Sequence, residues 1–257
     1  MTITVTSRID EHVGEILFSA PPYNFASPEL LRHIADALDA FDADPAVRCS
    51  VLTSVGKTFC GGANLAGDDD LAGEAGMDSV AQLYVQAMRL FRRKKPMVAA
   101  IQGAAVGAGL GLALSADFRV AGPGARFAAN FSRLGFHPGF ALTRTIPHVV
   151  GQQRASWMML SSERIKPETA LDWGLCDRLA AEGETLAEAH RMAAEIAENA
   201  PLAVIAIRAT LVGKLVDDLE TTLAHEHKEQ TTLKATADYE EGVASVFERR
   251  AANFTGA

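Results

Sequence analysis

The sequence predicts an α/β fold that ends in a helical region. In the first two thirds of the chain, short apolar runs alternate with stretches of helical periodicity. Two of these runs lead directly into glycine-rich segments, and from residue 185 onward only helical periodicity remains. Strands that alternate with helices are joined by right-handed crossovers and lie parallel in a sheet. At 257 residues the chain is long enough for one sizeable core.

The elements of the first half follow from their spacing. Residues 3–7 and 13–18 are β-branched runs on either side of a turn-like segment, which predicts a hairpin. Residues 30–41 predict a helix with one apolar stripe, formed by Leu30, Leu31, Ile34, Leu38 and Phe41. Residues 49–53 and 97–101 predict buried strands, and residues 79–95 and 107–116 predict helices.

Helical periodicity alone fills the C-terminal part of the chain. We expect helices over residues 186–199, 202–215, 219–233 and 239–249, with a break at Pro201. This break divides the chain into a core, residues 1–200, and a helical region, residues 201–257. The helical region is too small to bury its own apolar side chains, so we expect it to pack on the core or on another subunit of a homo-oligomer.

Composition excludes several classes of partner. The net charge of −8 argues against nucleic acid or an anionic membrane surface, because both are bound through clustered cations. No apolar run reaches the roughly 20 residues that span a bilayer, and the N-terminus lacks a signal-like apolar segment. Cys49, Cys60 and Cys176 are odd in number and lie in apolar surroundings, as in a reduced compartment. We therefore expect a cytoplasmic protein in which Cys60 is buried and inert.

Two glycine-rich stretches predict a site for a developing negative charge. They are Phe59-Cys60-Gly61-Gly62-Ala63-Asn64-Leu65 and Gly103-Ala104-Ala105-Val106-Gly107-Ala108-Gly109-Leu110-Gly111. Small residues after a strand let a backbone N–H approach a ligand closely, and two such groups can converge on one carbonyl oxygen. The alternative is tight strand-to-helix packing without chemistry.

These stretches and their neighbours resemble the enoyl-CoA hydratase/isomerase, or crotonase, superfamily. The similar segments are residues 59–65, 95–117, 127–135, 170–175 and 241–254, so the resemblance spans nearly the whole chain. It implies a spiral of β-β-α units with a C-terminal helical trimerisation region. It also implies acyl-CoA thioesters as substrates, no permanently bound cofactor, CoA as part of the substrate, and a homotrimer or a dimer of trimers.

The resemblance also implies which residues form the site. The backbone N–H groups of Ala63 and Ala108 would be the oxyanion donors, and Ala108 begins a helix whose N-terminus favours negative charge. The acyl group would lie against Gly62, Asn64, Leu65, Ala66, Gly107, Gly111, Phe131, Leu134 and Gly139. The CoA portion would lie against Phe25, Ala26, Lys57 and Arg249.

The usual acids and bases of the superfamily are absent from their positions. Gly111 and Phe131 stand where its hydratases have two glutamates, so hydration by the two-glutamate mechanism is not expected. Residues 131–139 resemble an element of its ring-opening and double-bond-shifting isomerases, of the phenylacetate-pathway type, but Gly139 stands where these have aspartate. His137 is the candidate proton shuttle. The acidic loop of residues 68–78 is a second source of a carboxylate, whereas we interpret Asp117 as structural.

Three functions stay open from sequence. The first is an acyl-CoA enzyme with an unusual base, catalysing isomerisation, hydration, hydrolysis or decarboxylation. The second is a non-catalytic acyl-CoA-binding protein, and the third is a purely structural protein on the same fold. We expect no metal site at His225-Glu226-His227, because positions i and i+2 point to different sides of a helix.

Overall fold

The computed structural model describes residues 2–64 and 78–257. The strands within these ranges are β1 (Thr4–Asp10), β2 (Val13–Ser19), β3 (Cys49–Ser54), β4 (Thr58–Cys60), β5 (Met97–Ile101), β6 (Ala104–Val106), β7 (Phe118–Ala121), β8 (Arg126–Ala128), β9 (Arg164–Ile165) and β10 (Arg178–Leu179). The helices are α1 (Pro28–Ala43), α2 (Ser79–Arg92), α3 (Ala108–Ser115), α4 (Leu142–Val150), α5 (Gln152–Ser161), α6 (Pro167–Trp173), α7 (Thr185–Ala197), α8 (Pro201–Lys234) and α9 (Ala237–Glu248).

Successive strands are divided between two sheets. One sheet has the order β1-β2-β3-β5-β7-β10 and the other the order β4-β6-β8-β9. Only the end pairs β1–β2 and β8–β9 are antiparallel among these ladders. Each turn of the chain from β3 to β8 thus adds one strand to each sheet. This is the α/β spiral of β-β-α units that the resemblance implies, and it places β4 beside β6.

The N-terminal elements agree with the predicted ones. The hairpin pairs Thr4 with Ser19 at one end and Asp10 with Val13 at the other. Helix α1 begins after Ser27, whose side chain accepts a hydrogen bond from the Leu30 N–H, and Pro28 occupies its first position. The five residues of the predicted apolar stripe are all buried. The periodicity was sufficient here because one face of α1 covers the core.

The C-terminal helices differ from the prediction in one respect. Residues 202–215 and 219–233 were expected to form two helices, but they belong to the single 34-residue helix α8. No glycine or proline separates them, and Val216, Leu219 and Leu223 pack on the main hydrophobic core. Tertiary packing therefore carries the helix through the polar segment between them. Helix α8 begins at Pro201, and the division into domains at residue 200 stays a prediction.

Asp117 fixes α8 to the core, in agreement with its structural interpretation. Its carboxylate pairs with Arg93 after α2 and accepts hydrogen bonds from Arg208 of α8, at 2.9 and 3.1 Å, and from the Met97 N–H at 2.9 Å. Burial raises the pKa of Asp117, but the two guanidinium groups outweigh it and lower that pKa. The aspartate therefore stays ionised at neutral pH.

The helices of the described part of the chain are all too short or too polar to cross a bilayer.

Candidate active site

The two glycine-rich stretches lie against each other. Strand β4 pairs in parallel with β6, so both stretches leave the same sheet side by side. A Cβ on Gly103 would lie 1.8 Å from the Lys57 carbonyl oxygen, and one on Gly109 would lie 2.1 Å from that of Cys60. Only glycine permits this approach of one backbone to the other. The tight packing that the sequence offered as an alternative to chemistry is therefore present. It also brings Ala63 and Ala108 to the lining of the same cavity.

The backbone between these glycines leaves two N–H groups outside the regular hydrogen-bond ladders. Gly62 has a φ of +96°, and a Cβ placed on it would lie 3.9 Å from the Ala108 nitrogen. Ala63 forms an isolated parallel bridge with Ala26, in which the Ala26 N–H donates to the Gly62 carbonyl at 2.8 Å. Ala108 is the first residue of α3, where an N–H has no partner inside the helix.

Both alanines line a cavity of about 550 Å³. Its walls are the two glycine stretches, the first turns of α2, the segment before α4 and the last turns of α8. Eight of the predicted site residues line it: Gly62, Ala63, Asn64, Gly107, Ala108, Phe131, Leu134 and Gly139. Leu65 and Ala66 lie outside the described residues, as does the acidic loop up to residue 77.

A larger cavity of about 780 Å³ lies between the first half of α8 and the core. Its lining includes none of the predicted site residues, and it lies beside the buried ion pairs of Asp117. We therefore place the candidate site in the smaller cavity, where the glycine stretches converge.

Gly111 lies behind the cavity wall. It is buried in α3, and a Cβ there would lie 2.4 Å from Cδ1 of Phe140. The phenylalanine ring thus fills the space of a side chain at this position, so Gly111 is a packing position of the core. Gly111 is not among the described residues that line the cavity, and its contact with substrate stays a prediction.

A hydrogen-bonded tyrosine and glutamine occupy the space beside Gly139. A Cβ on Gly139 would lie 2.1 Å from the Tyr84 hydroxyl oxygen and 2.4 Å from Nε2 of Gln230. Tyr84 donates to Oε1 of Gln230 at 2.9 Å, and Nε2 of Gln230 donates to the His137 carbonyl at 3.0 Å. Burial raises the pKa of Tyr84, so its phenol is neutral at physiological pH.

The His137 side chain is not brought to the cavity. Its Nδ1 lies 2.7 Å from the Pro138 carbonyl oxygen, and its ring packs edge-on against His225 at a centroid distance of 5.9 Å. Its backbone carbonyl accepts a hydrogen bond from Gln230, which lines the cavity. His137 thus helps to position the Gln230 side chain, and its role as a proton shuttle stays a prediction.

The residues predicted to hold CoA lie outside the cavity lining. Phe25 and Ala26 flank the first glycine stretch, where the Phe25 ring comes within 3.3 Å of a Cβ built on Gly61. Lys57 is exposed just before β4, and Arg249 is exposed at the end of α9. These four residues therefore stay predictions for a CoA portion that would extend beyond the cavity.

Glu226 is a buried carboxylate that sequence reasoning missed. Its Oε2 accepts a hydrogen bond from the Ala141 N–H at 2.7 Å, and its Oε1 accepts from the N–H and the hydroxyl of Thr143 at 2.9 and 2.6 Å. Burial raises its pKa to about 7, although these three donors oppose the shift. The spacing of Glu226, Gln230 and Lys234 could have revealed it, because polar residues four apart mark one helix face.

Cys60 is a packing residue of the site. Its side chain is fully buried, and burial raises the pKa of the thiol to about 12. A thiol that stays protonated at neutral pH is a weak nucleophile. All three cysteines are buried and free, as the sequence suggested.

The chain matches known proteins over nearly its whole length. A family model described as enoyl-CoA hydratase/isomerase matches residues 8–257. The chain is 31% identical to the 1,2-epoxyphenylacetyl-CoA isomerase of Escherichia coli, with 98% of each chain covered. It is 35% identical to a mevalonyl-coenzyme A hydratase of Beauveria bassiana, with 93% of this chain and 90% of that one covered.

A solved structure agrees with the family match. The fold superimposes on a crystal structure of an enoyl-CoA hydratase/isomerase from Pseudoalteromonas atlantica with a TM-score of 0.85, at 29% identity and with 98% of this chain and 99% of that one covered. Together with the strand order and the paired glycine stretches, these matches show that the chain belongs to the enoyl-CoA hydratase/isomerase family.

Proposed function

We propose that this protein binds acyl-CoA thioesters and stabilises a thioester enolate with the backbone N–H groups of Ala63 and Ala108. The observation that carries the proposal is the meeting of the two glycine stretches at one side of a largely apolar cavity. Removing a proton from the carbon next to a thioester places negative charge on the carbonyl oxygen. Two preorganised N–H donors and the N-terminus of α3 favour that charge.

Isomerisation is the reaction that we favour within this chemistry. A base takes a proton from the α carbon and returns it to the γ carbon, which moves a double bond into conjugation with the thioester. The described cavity lining holds no such base, so the acidic segment of residues 68–78 is our candidate for it. Hydration by two glutamates has no support, because no carboxylate belongs to the described cavity lining. Phe140 fills the space beside Gly111, and Tyr84 with Gln230 fills the space beside Gly139. Hydration with a different base is the second catalytic candidate.

A non-catalytic acyl-CoA-binding protein is the alternative. The hydrogen bonds from Tyr84 to Gln230 and from Gln230 to the His137 backbone carbonyl favour this alternative. These three groups are already paired with one another in the place where a base would be needed. The relatives do not choose between reactions, because an isomerase and a hydratase match at similar identity.

The variant Ala108→Pro tests the oxyanion role. Proline removes the N–H at the first helix position, where its ring is tolerated. We expect the wild-type protein to exchange the α protons of hexanoyl-CoA in D₂O and to convert 3-hexenoyl-CoA into its conjugated isomer. In the variant, the rate of either reaction should fall by a factor of about 10² to 10³. Gln152→Pro is the matched control. Like Ala108, Gln152 is the first residue of a helix, α5, and follows a glycine with a positive φ, but it is exposed to solvent.

Three outcomes separate the candidates. Exchange that falls in Ala108→Pro and not in Gln152→Pro supports the enzyme. Calorimetric binding of hexanoyl-CoA without exchange or isomerisation supports the binding protein. Lack of affinity for any acyl-CoA in a panel of chain lengths would reject both.

We also propose that the protein assembles as a homotrimer or a dimer of trimers. The first half of α8 presents apolar side chains to solvent, with Leu202 81% and Leu211 72% exposed. Such a face is typical of an interface between subunits. The molar mass in solution, measured by light scattering, checks this assembly. CoA belongs to the substrate in this proposal, and no permanently bound cofactor is part of it.

A further inference from the structure

A row of aromatic rings leads away from the proposed oxyanion site. A Cβ on Gly107 would lie 3.6 Å from Cζ of Phe131. The Phe131 ring lies 6.5 Å from the Phe136 ring, which lies 5.0 Å from the Tyr239 ring, measured between centroids. All three rings line the cavity. An acyl chain of several carbons held at Ala108 would therefore run along this apolar wall toward Tyr239.

Lys234 also lines the cavity, and it precedes Tyr239 by five residues in the sequence. It lies in the last turn of α8, one turn beyond Gln230, and it is half-buried. It is the single charged side chain among the described residues that line the cavity. A cation in a largely apolar lining is costly unless an anion or water meets it.

Within the described ranges, no carboxylate pairs with Lys234. Among the described residues, Lys234 acts electrostatically on Asp78, which already accepts a hydrogen bond from the Ala81 N–H and lies 2.7 Å from Nε2 of His227. Burial raises the pKa of Asp78, but these two hydrogen bonds and the weaker effect of Lys234 lower it overall. Asp78 is thus engaged elsewhere, and the described part of the chain offers no other carboxylate as a partner for Lys234.

We propose that the substrate's acyl group ends in a carboxylate, and that Lys234 binds this carboxylate at the far end of the row of rings. The inference rests on the proposed function, because it names the acyl class of that same site. A methyl-ended acyl chain would bring a hydrocarbon terminus to the ammonium group, whereas a carboxylate forms a charge-assisted hydrogen bond with it. Lys234 would therefore determine specificity without taking part in proton transfer.

Binding of matched pairs of thioesters tests the proposal without requiring turnover. The pairs are hexanoyl-CoA and adipyl-CoA, octanoyl-CoA and suberyl-CoA, and decanoyl-CoA and sebacyl-CoA, with Kd measured by calorimetry. We expect the carboxyl-ended partner to bind about 10-fold more tightly at the chain length that reaches Lys234. The preference should weaken as salt is added, since it depends on charge.

Variants of α8 assign the preference to one residue. Lys234→Met should bring the affinity ratio of that pair to about one, whereas Lys234→Arg should keep part of the preference because it keeps the charge. Lys228→Met is the matched control: Lys228 is exposed on the same helix and does not line the cavity. It should leave the ratio unchanged.

Two results would overturn the inference. One is an equal affinity for both partners of every pair in the wild-type protein. The other is an equal loss for both partners in Lys234→Met, which would place Lys234 on the CoA phosphates or on the acidic loop. Failure of all six thioesters to bind would instead reject the proposed function itself, so the two failures are distinguishable.

Discussion

Replacing Glu226 with glutamine should remove a pH dependence of stability that arises from one buried carboxyl group. The side chain is completely buried on α8 and caps the start of α4 through Ala141 and Thr143. Because burial raises its pKa to about 7, the folded protein keeps this proton well above the ordinary value of 4.5. The unfolded chain releases it near that ordinary value.

The sign and size of the effect follow from these two pKa values. Between them, the folded state binds more protons than the unfolded state, so raising the pH lowers the free energy of unfolding. At 1.36 kcal/mol for each pKa unit, Glu226 should cost about 2–3 kcal/mol of stability as the pH rises from 5 to 8.5. The stability that the raised pKa contributes is fully present below pH 4.5 and is lost as the pH rises through about 7.

Denaturant unfolding at a series of pH values measures this effect. The difference in unfolding free energy between the wild-type protein and Glu226→Gln cancels the other titrating groups, and it should change by about 2–3 kcal/mol between pH 5 and 8.5. Glu229→Gln, on the same helix and only half-buried, is the control and should show a much smaller change. Parallel pH profiles for the wild-type protein and Glu226→Gln would refute the reasoning.

The remaining predictions concern stability. Gly111→Ala should destabilise the protein by about 1–3 kcal/mol because its Cβ would meet the buried Phe140 ring. Gly213→Ala, in α8 with no atom within 4 Å of the added Cβ, should instead stabilise it by about 0.5–1 kcal/mol. Thermal unfolding compares the two, and equal shifts would contradict the packing argument. Asp117→Asn should cost about 3 kcal/mol or more, because it leaves two buried guanidinium groups without their anion. Unfolding in urea at pH 7 checks it, and a loss below about 1 kcal/mol would show that the pairs contribute little.

Local pattern was enough for the N-terminal elements and for the expectation that the two glycine stretches meet. The stripe of α1 and the strands before each stretch follow from residues a few positions apart, which periodicity describes directly. The long helix α8 was divided in two by the same method. Its polar segment carries no helical signal of its own, and only the packing of Leu219 and Leu223 on the core holds it in the helix.

The cavity walls were much less predictable. Tyr84 and Gln230 are 146 residues apart, yet they meet beside Gly139. The Phe140 ring packs on Gly111 although strands β7 and β8 lie between the two residues in the sequence. His137 was the reasonable candidate from sequence, because its position near Gly139 was visible and the direction of its side chain was not. A side chain's direction depends on every neighbour that competes for the same space.

The sequence by itself determined the family, the first hairpin and helix, the strands before the two glycine stretches, and the backbone segments that contain Ala63 and Ala108. It also places glycine, phenylalanine and glycine at positions 111, 131 and 139, where the resemblance implies carboxylates in other members of the family. Only the tertiary structure decided what surrounds these positions: the Phe140 ring beside Gly111, and a hydrogen-bonded tyrosine–glutamine pair beside Gly139. It also brought Lys234, the one charged side chain of the described cavity lining, to the site. The physical reason is that glycine stretches act through the local backbone, whereas a pocket is shaped by side chains from distant segments packed to high density.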